Sequence, residues 1–200
     1  MEDQNEIMGE FVYFGIEAGL RNCVSSDIHR ENLIKFQINV NGFQPFTSSS
    51  VDLWTILGKI HFIPDVYKVF PIAIFCGTTK PGNPDTFLNN FIEELNQLQT
   101  NGITISEKYF LVRLKCVICN TPARVFLKQT VGHIGFYACE KCTIKGQSVD
   151  HTTVYPSCEA EERTDASFRS NAQPEHHHGP SPFLRIFSYI NMSFKEKPDL

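Results

Sequence analysis

The chain has 200 residues, of which 42% are hydrophobic and 17 are phenylalanine; that is material for a packed core and length for one domain with an appendage. A net charge of −4 excludes the overall basic excess of a dedicated nucleic-acid binder, so any such affinity must come from a local patch. No run approaches the roughly 18 apolar residues of a membrane span. The opening MEDQNEIMGE is too acidic and polar for a secretory signal, and the seven unevenly spaced cysteines favour reduced thiols or metal ligands over a disulfide framework. These features predict a nuclear or cytoplasmic protein, not a secreted one, with no membrane partner.

In chain order, Ile7, Phe11, Phe14 and Ala18 recur at helical spacing, which predicts a helix over 5–20 and a helical lead-in over 1–32. From Leu33 to Val40 the period changes to two, with Ile34, Phe36, Ile38 and Val40 on one face, so a half-buried strand is expected. Asn41-Gly42 can turn the chain, because both residues tolerate positive φ. Residues 51–62 read as a second strand and 68–76 as a third, where Pro71 implies an edge or a bulge. GTTKPGNPD is a loop. Asp85 then occupies an N-cap position, and Phe87, Phe91, Leu95 and Leu98 form the stripe of a helix that Gly102 closes. The run at 108–119 is apolar on both faces, as a central strand would be. TPARVFLKQT can start another helix with Pro122 in its first turn and Asn120 as its cap.

The composition shifts after about residue 135. The text from Tyr137 to Pro182 is polar and weakly periodic, the pattern of a metal-stapled appendage or a poorly ordered tail. Cys139 and Cys142 have zinc-ligand spacing and lie in a turn-like setting. His133, His151, Cys158 and His176 to His178 are the available partners, with His133, Cys158 and His177 the leading ones; half of a site whose other ligands lie elsewhere is the alternative. Cys116 and Cys119 share the spacing, but on a strand residues i and i+3 point to opposite faces, so Cys116 reads as core and Cys119 as core or as a neighbour of the strand end at Asn120. A redox role for Cys139-x-x-Cys142 is disfavoured, because no thioredoxin-like unit precedes it. Lys80, Arg113, Lys115 and Arg124 are candidates for a surface that touches a nucleic-acid backbone.

Several segments in order resemble transposases of the CACTA type and their relatives in animal genomes. NVNGFQPFTSSSVDLWTIL is similar to a block in which the family has Asp-Gly, a polar run and Trp-(Pro)-Ile-Leu. FCGTTKPGNPDTFLNNFIEELNQLQTNGI resembles the next block. CNTPARVFLKQTVGHIGFYACEKCTIKG resembles the one after, where the family has Asp-x-Pro-Ala-Arg, Gly-His-x-Gly-Tyr and Cys-x-x-Cys. RTDASFR and HHHGPSPF are also similar, so the resemblance covers roughly 10–185. It implies an α/β fold: an incomplete ribonuclease H-like mixed sheet (strand-strand-strand-helix-strand-helix) over 33–135, followed by an irregular Cys/His-containing extension over 136–200.

The resemblance further implies an ancestral role in DNA strand cleavage and transfer, with carboxylates at the ends of the first and fourth strands holding two Mg²⁺ ions. Those places are Asn41 and Asn120 here, and a third acid would lie beyond the chain. An amide lacks the charge that compensates for stripping water from Mg²⁺. The expectation is therefore a transposase-derived protein with its Mg²⁺ site lost and no intact catalytic residue, whose ancestral partner is DNA. Zinc at the Cys pair is the candidate cofactor. A retained nucleic-acid- or protein-binding module and a zinc-stabilised structural domain are the alternatives.

Overall fold

The computed structural model describes residues 9–46, 50–156, 159–187 and 191–192. The chain divides into two compact units, Met1–Ala123 with Arg185–Ile190, and Arg124–Leu184 with Asn191–Leu200.

The first unit is mixed α/β. Its elements are β1 (Gly9–Tyr13), α1 (Ile16–Cys23), β2 (Leu33–Phe43), β3 (Asp52–Ile60), β4 (Phe70–Gly77), α2 (Pro84–Asn101), β5 (Ile103–Ile105) and β6 (Lys108–Cys119). The six strands form one sheet in the order β1-β4-β3-β2-β6-β5. β2 and β6 run parallel, with Leu33 opposite Leu111 and Val40 opposite Cys119; every other pairing is antiparallel. The parallel pair needs a crossover, and α2 lies within that connection.

Alternation decides which face is core. Ile34, Phe36, Ile38 and Val40 are completely buried, as are Ile56 and Val112, and α1 and α2 pack over this side through β3, β4 and β6. α2 supplies Phe87, Leu88, Phe91, Ile92, Leu95 and Leu98. Its cap is Asn83, whose side chain accepts from the backbone N–H groups of Asp85 and Thr86, with Pro84 in the first turn. The expected cap at Asp85 is therefore two residues late: Pro84 already has the φ a first helical turn needs. Gly102 closes the helix as expected, at φ 66°.

Two further expectations change, and one open alternative is decided. Residues 9–13 form a strand, not a helix, pairing along the outer side of β4; Gly15, at φ 95°, separates that strand from α1, and residues 1–8 lie outside the described part. The apolar spacing that reads as one helical stripe is split between two elements. Asn41-Gly42 makes no turn: β2 continues to Phe43. Glycine stands at 42 because Trp54, its partner across the strands, lies against it, and a Cβ would fall 2.3 Å from the indole. β4 is an interior strand, and Pro71 is accommodated at a register shift against β3, which is the bulge solution rather than the edge.

The second unit holds most of α3 (Thr121–Lys128), β7 (Gln147–Val149), β8 (Thr152–Val154) and α4 (Asp165–Arg169). The extension expected to be irregular carries defined structure. β7 and β8 form a two-stranded antiparallel ladder, and Thr164 and Ser167 make a reciprocal capping box at α4. Glu140 joins the segment to α3, accepting from Arg124 Nε at 2.6 Å and Lys128 Nζ at 2.7 Å. Burial pushes the Glu140 carboxyl upward, but the two cations outweigh it and hold it below its ordinary range.

Candidate functional site

In the first unit, Asn41 and Asn120 meet at one end of the sheet. The cause is register: β2 and β6 are parallel and paired through Val40 and Cys119, so the next residue on each strand arrives at the same edge. Asn120 donates its backbone N–H to Asn41 Oδ1 at 3.2 Å and its side-chain amide to the Gly42 carbonyl at 3.0 Å. Asn41 Nδ2 donates to Asn39 Oδ1 at 2.7 Å. Asn120 Oδ1 accepts from the Ala123 N–H at 3.0 Å, which is the cap expected for α3.

Each of the four side-chain polar atoms thus has a partner within this corner. The two amides form a neutral lattice that ties the strand ends together and starts a helix. They bring no net charge to a cation, and their oxygens already accept from backbone donors, so the pair does not fit Mg²⁺, which is dehydrated reluctantly and is held by carboxylates. Beside them lies a solvent-open cleft of about 410 Å³ whose lining includes Gly42, Trp54, Lys80 and Pro122, with Asp52 as its carboxylate.

In the second unit, the Cys139 and Cys142 sulfurs are 3.5 Å apart. A tetrahedral zinc with bonds of about 2.3 Å sets its thiolates roughly 3.8 Å apart, so the spacing fits a shared metal. The turn that carries them is clamped by the 161–163 segment. Thr143 N–H donates to Glu161 O, Arg163 N–H to Lys141 O, and Arg163 Nε to Cys139 O at 2.8 Å. The two thiols are unequal. Burial pushes Cys139 up, but the backbone N–H groups of Cys142 and Lys141, the Cys142 thiol and the Arg163 charge together hold it below the ordinary thiol range. Cys142, mainly through burial and the neighbouring Cys139, is raised.

The other expected ligands are not assembled around this pair. Among the described residues, no group of three or more His, Cys, Asp and Glu side chains is placed to hold a metal. His133 is exposed in a turn, His177 packs its ring 4.7 Å from Phe168, and Cys158 lies outside the described residues. Cys116 is half-buried and donates weakly to Gln37.

His176 is only 1% exposed. Its Nδ1 lies 2.6 Å from the Tyr137 carbonyl, while Nε2 has no partner. Burial first, then the charges of Arg163, His177 and Lys128, push its pKa down to about 4 against the pull of the Tyr137 carbonyl. Sequence alone does not distinguish the three consecutive histidines, since only packing decides which ring turns inward. Glu94 has no sequence signal either: its carboxylate accepts from Tyr13 Oη and from the backbone N–H groups of Ile16 and Glu17, filling the anion position at the start of α1.

Compared with known proteins, the sequence matches no family model and no curated protein. Fold and site define a mixed α/β protein with a two-amide corner at the end of a parallel strand pair, and a second unit that carries a clamped pair of thiols.

Proposed function

We propose that the chain is a transposase-derived protein whose first unit is a ribonuclease H-like core that has lost its two-metal chemistry. The observation that carries this reading is the juxtaposition of Asn41 and Asn120 at the ends of parallel neighbours. Two carboxylates in those places would set two negative charges about one divalent ion; the amides set none. The run of β2, β3 and β4 followed by α2 and, after the short β5, by β6 parallel to β2 supports it, as does the resemblance to CACTA-type transposases, and DNA is the partner that the ancestral role implies. The protein as it stands is read as catalytically inactive. The test is a nicking assay on supercoiled DNA with Mn²⁺, run on the wild type, on Asn41→Ala, and on Asn41→Asp/Asn120→Asp. The expected result is no cleavage by wild type, with Mn²⁺ binding raised in the double-aspartate variant. Metal-dependent nicking by wild type that disappears in Asn41→Ala would overturn the reading.

A second reading, a zinc-stabilised module, is favoured by the 3.5 Å separation of Cys139 and Cys142. The pair supplies two of the four donors such a site needs. Because metal affinity adds to folding free energy, a zinc-loaded chain should retain metal on purification and melt at lower temperature in a chelator. An unchanged melt and no zinc by elemental analysis would remove this reading.

A further inference from the structure

The charge of this protein is segregated. The chain as a whole is acidic, at −4, yet β2, β3, β4 and β6 carry Lys35, Lys59, Lys108, Arg113 and Lys115 against a single carboxylate, Asp52. Lys108 is spent on the carbonyls of His29 and Arg30. The other four belong to the face of the sheet opposite the core. Register shows this directly. Lys35 is the partner of Arg113 and Gln37 the partner of Lys59, and both alternate with the buried Ile34, Phe36 and Ile38. Lys115 confirms it, because its Nζ reaches across β2 to His61 Nε2 at 2.8 Å, and His61 follows β3 with its N–H on the Lys35 carbonyl.

Lys35, His61, Arg113 and Lys115 are all exposed. Lys59 is neutralised by Asp65 at 2.7 Å. Arg113 drapes over the margin of β6, where Nη1 donates to the carbonyls of Gln99 and Val112 at 2.8 Å. Tyr109, on the same strand and face, is 49% exposed.

We propose that this basic sheet face binds a single nucleic-acid strand through its phosphates. Lys35, Arg113 and Lys115 arise from neighbouring strands about 4.8 Å apart and from alternate positions roughly 6.6 Å apart, with Lys115 reaching over β2 toward His61 and Arg113 toward the margin of β6, so the three cations are spread in a row across which successive phosphates of one chain can run. Lysine and arginine are the donors that backbone recognition uses, and an exposed tyrosine adds a ring on which a base stacks. Among the described residues no carboxylate pairs with Lys35, Arg113 or Lys115, which lets this part of the face attract a polyanion although the whole chain is acidic. The inference does not rest on the Asn41–Asn120 reading: it concerns the middle of the sheet, not its end, and needs no metal.

The test uses the full chain and a fluorescein-labelled 20-nucleotide single-stranded DNA, followed by anisotropy in EDTA over a salt series. Three neutralised phosphates on a single strand predict a log–log salt slope of about −2, a loss of about 20-fold in affinity between 50 and 200 mM salt. Lys35→Gln/Arg113→Gln/Lys115→Gln should weaken binding at least about tenfold at 50 mM and flatten the slope. Lys35→Gln/Lys115→Gln, which spares the Arg113 contacts to Gln99, should do most of this with an unchanged melt. Lys145→Gln, in the second unit, should bind as wild type does. Absence of salt-dependent binding, equal loss in Lys145→Gln, or unchanged affinity in both sheet variants would overturn the proposal. So would equal or tighter binding to phosphatidylserine vesicles or to duplex of the same length. Working in EDTA separates the outcomes: failure here leaves the two-metal-relic reading standing, and nicking by wild type with Mn²⁺ leaves this one standing.

Discussion

Lowering the pH from 7.5 to 4 should destabilise the second unit through one buried imidazole. His176 is neutral in the fold, with its ring between the Tyr137 carbonyl and an environment containing Arg163, Lys128 and His177. Its pKa is pushed from 6.5 to about 4. In the unfolded chain the same ring takes up a proton near its ordinary value. Between those two values the unfolded state therefore binds more protons, and stability falls as pH falls. The contribution is fully present above pH 6.5, declines through the window down to about 4, and is flat below it. At about 1.4 kcal/mol per pH unit the span amounts to about 3 kcal/mol, a large part of the stability of a typical domain. Two measurements check this. The ring-proton shifts of His176 should titrate near pH 4 by NMR. Urea unfolding followed by circular dichroism should show the midpoint falling between pH 6.5 and 4, and the fall should be much reduced in His176→Asn. That variant keeps a donor for the Tyr137 carbonyl but has nothing to protonate. It should be less stable than wild type at pH 7.5 and lose less on acidification. A His176 titration at or above 6, or an unchanged pH slope in the asparagine variant, refutes the reasoning.

Glu140→Gln removes the anion between Arg124 and Lys128, both within 2.7 Å; with Glu140 and Lys128 side chains only 13% and 11% exposed, the stranded lysine should cost about 3 kcal/mol in urea unfolding at pH 7. Because the Glu140 carboxyl is held below its ordinary value, its stabilisation is present above that value and is lost as pH falls through the lowered one, so the gap between wild type and variant should narrow as the solution is acidified past the ordinary glutamate value. Glu94→Gln should cost about 1–2 kcal/mol, with faster amide exchange at Ile16 and Glu17, whose N–H groups the carboxylate accepts; unchanged exchange there would show that the contact carries nothing. Gly42→Ala should destabilise by about 1–3 kcal/mol from overpacking, since the added methyl meets Trp54, and should red- or blue-shift the emission of the chain's single tryptophan; a neutral effect would mean the indole moves aside freely.

Much of the secondary structure was legible in the residues themselves, because burial on one face imposes a period. Ile34, Phe36, Ile38 and Val40 announce β2, and the Phe87-Phe91-Leu95-Leu98 stripe announces α2, whichever partners they later meet. The capping role of Asn120 and the closure of α2 by Gly102 are local backbone chemistry, and local chemistry is written in sequence. The opening strand was not legible: β1 is mostly exposed and exists because β4 offers its outer side, and its aromatic residues fall by chance on a helical spacing. The Asn41-Gly42 dipeptide has a local propensity for turning, and the sheet overrides it, since continuing β2 to Phe43 keeps its ladder with β3 and seats Trp54 over the glycine.

At the candidate sites the division is sharper. Residue type decided that neither Asn41 nor Asn120 can bring charge to a cation, and that Cys139 and Cys142 have the spacing of a shared ligand pair. Only the parallel register of β2 and β6 placed the two amides together, because a one-residue slip in pairing would turn the strand ends to opposite faces. Only packing chose His176 from three adjacent histidines, gave Glu140 its two cations, and brought Lys35 from β2 beside Arg113 and Lys115, which already share a face of β6 by their spacing. Such long-range juxtapositions depend on which surfaces exclude water from each other, and one-dimensional spacing carries no record of that.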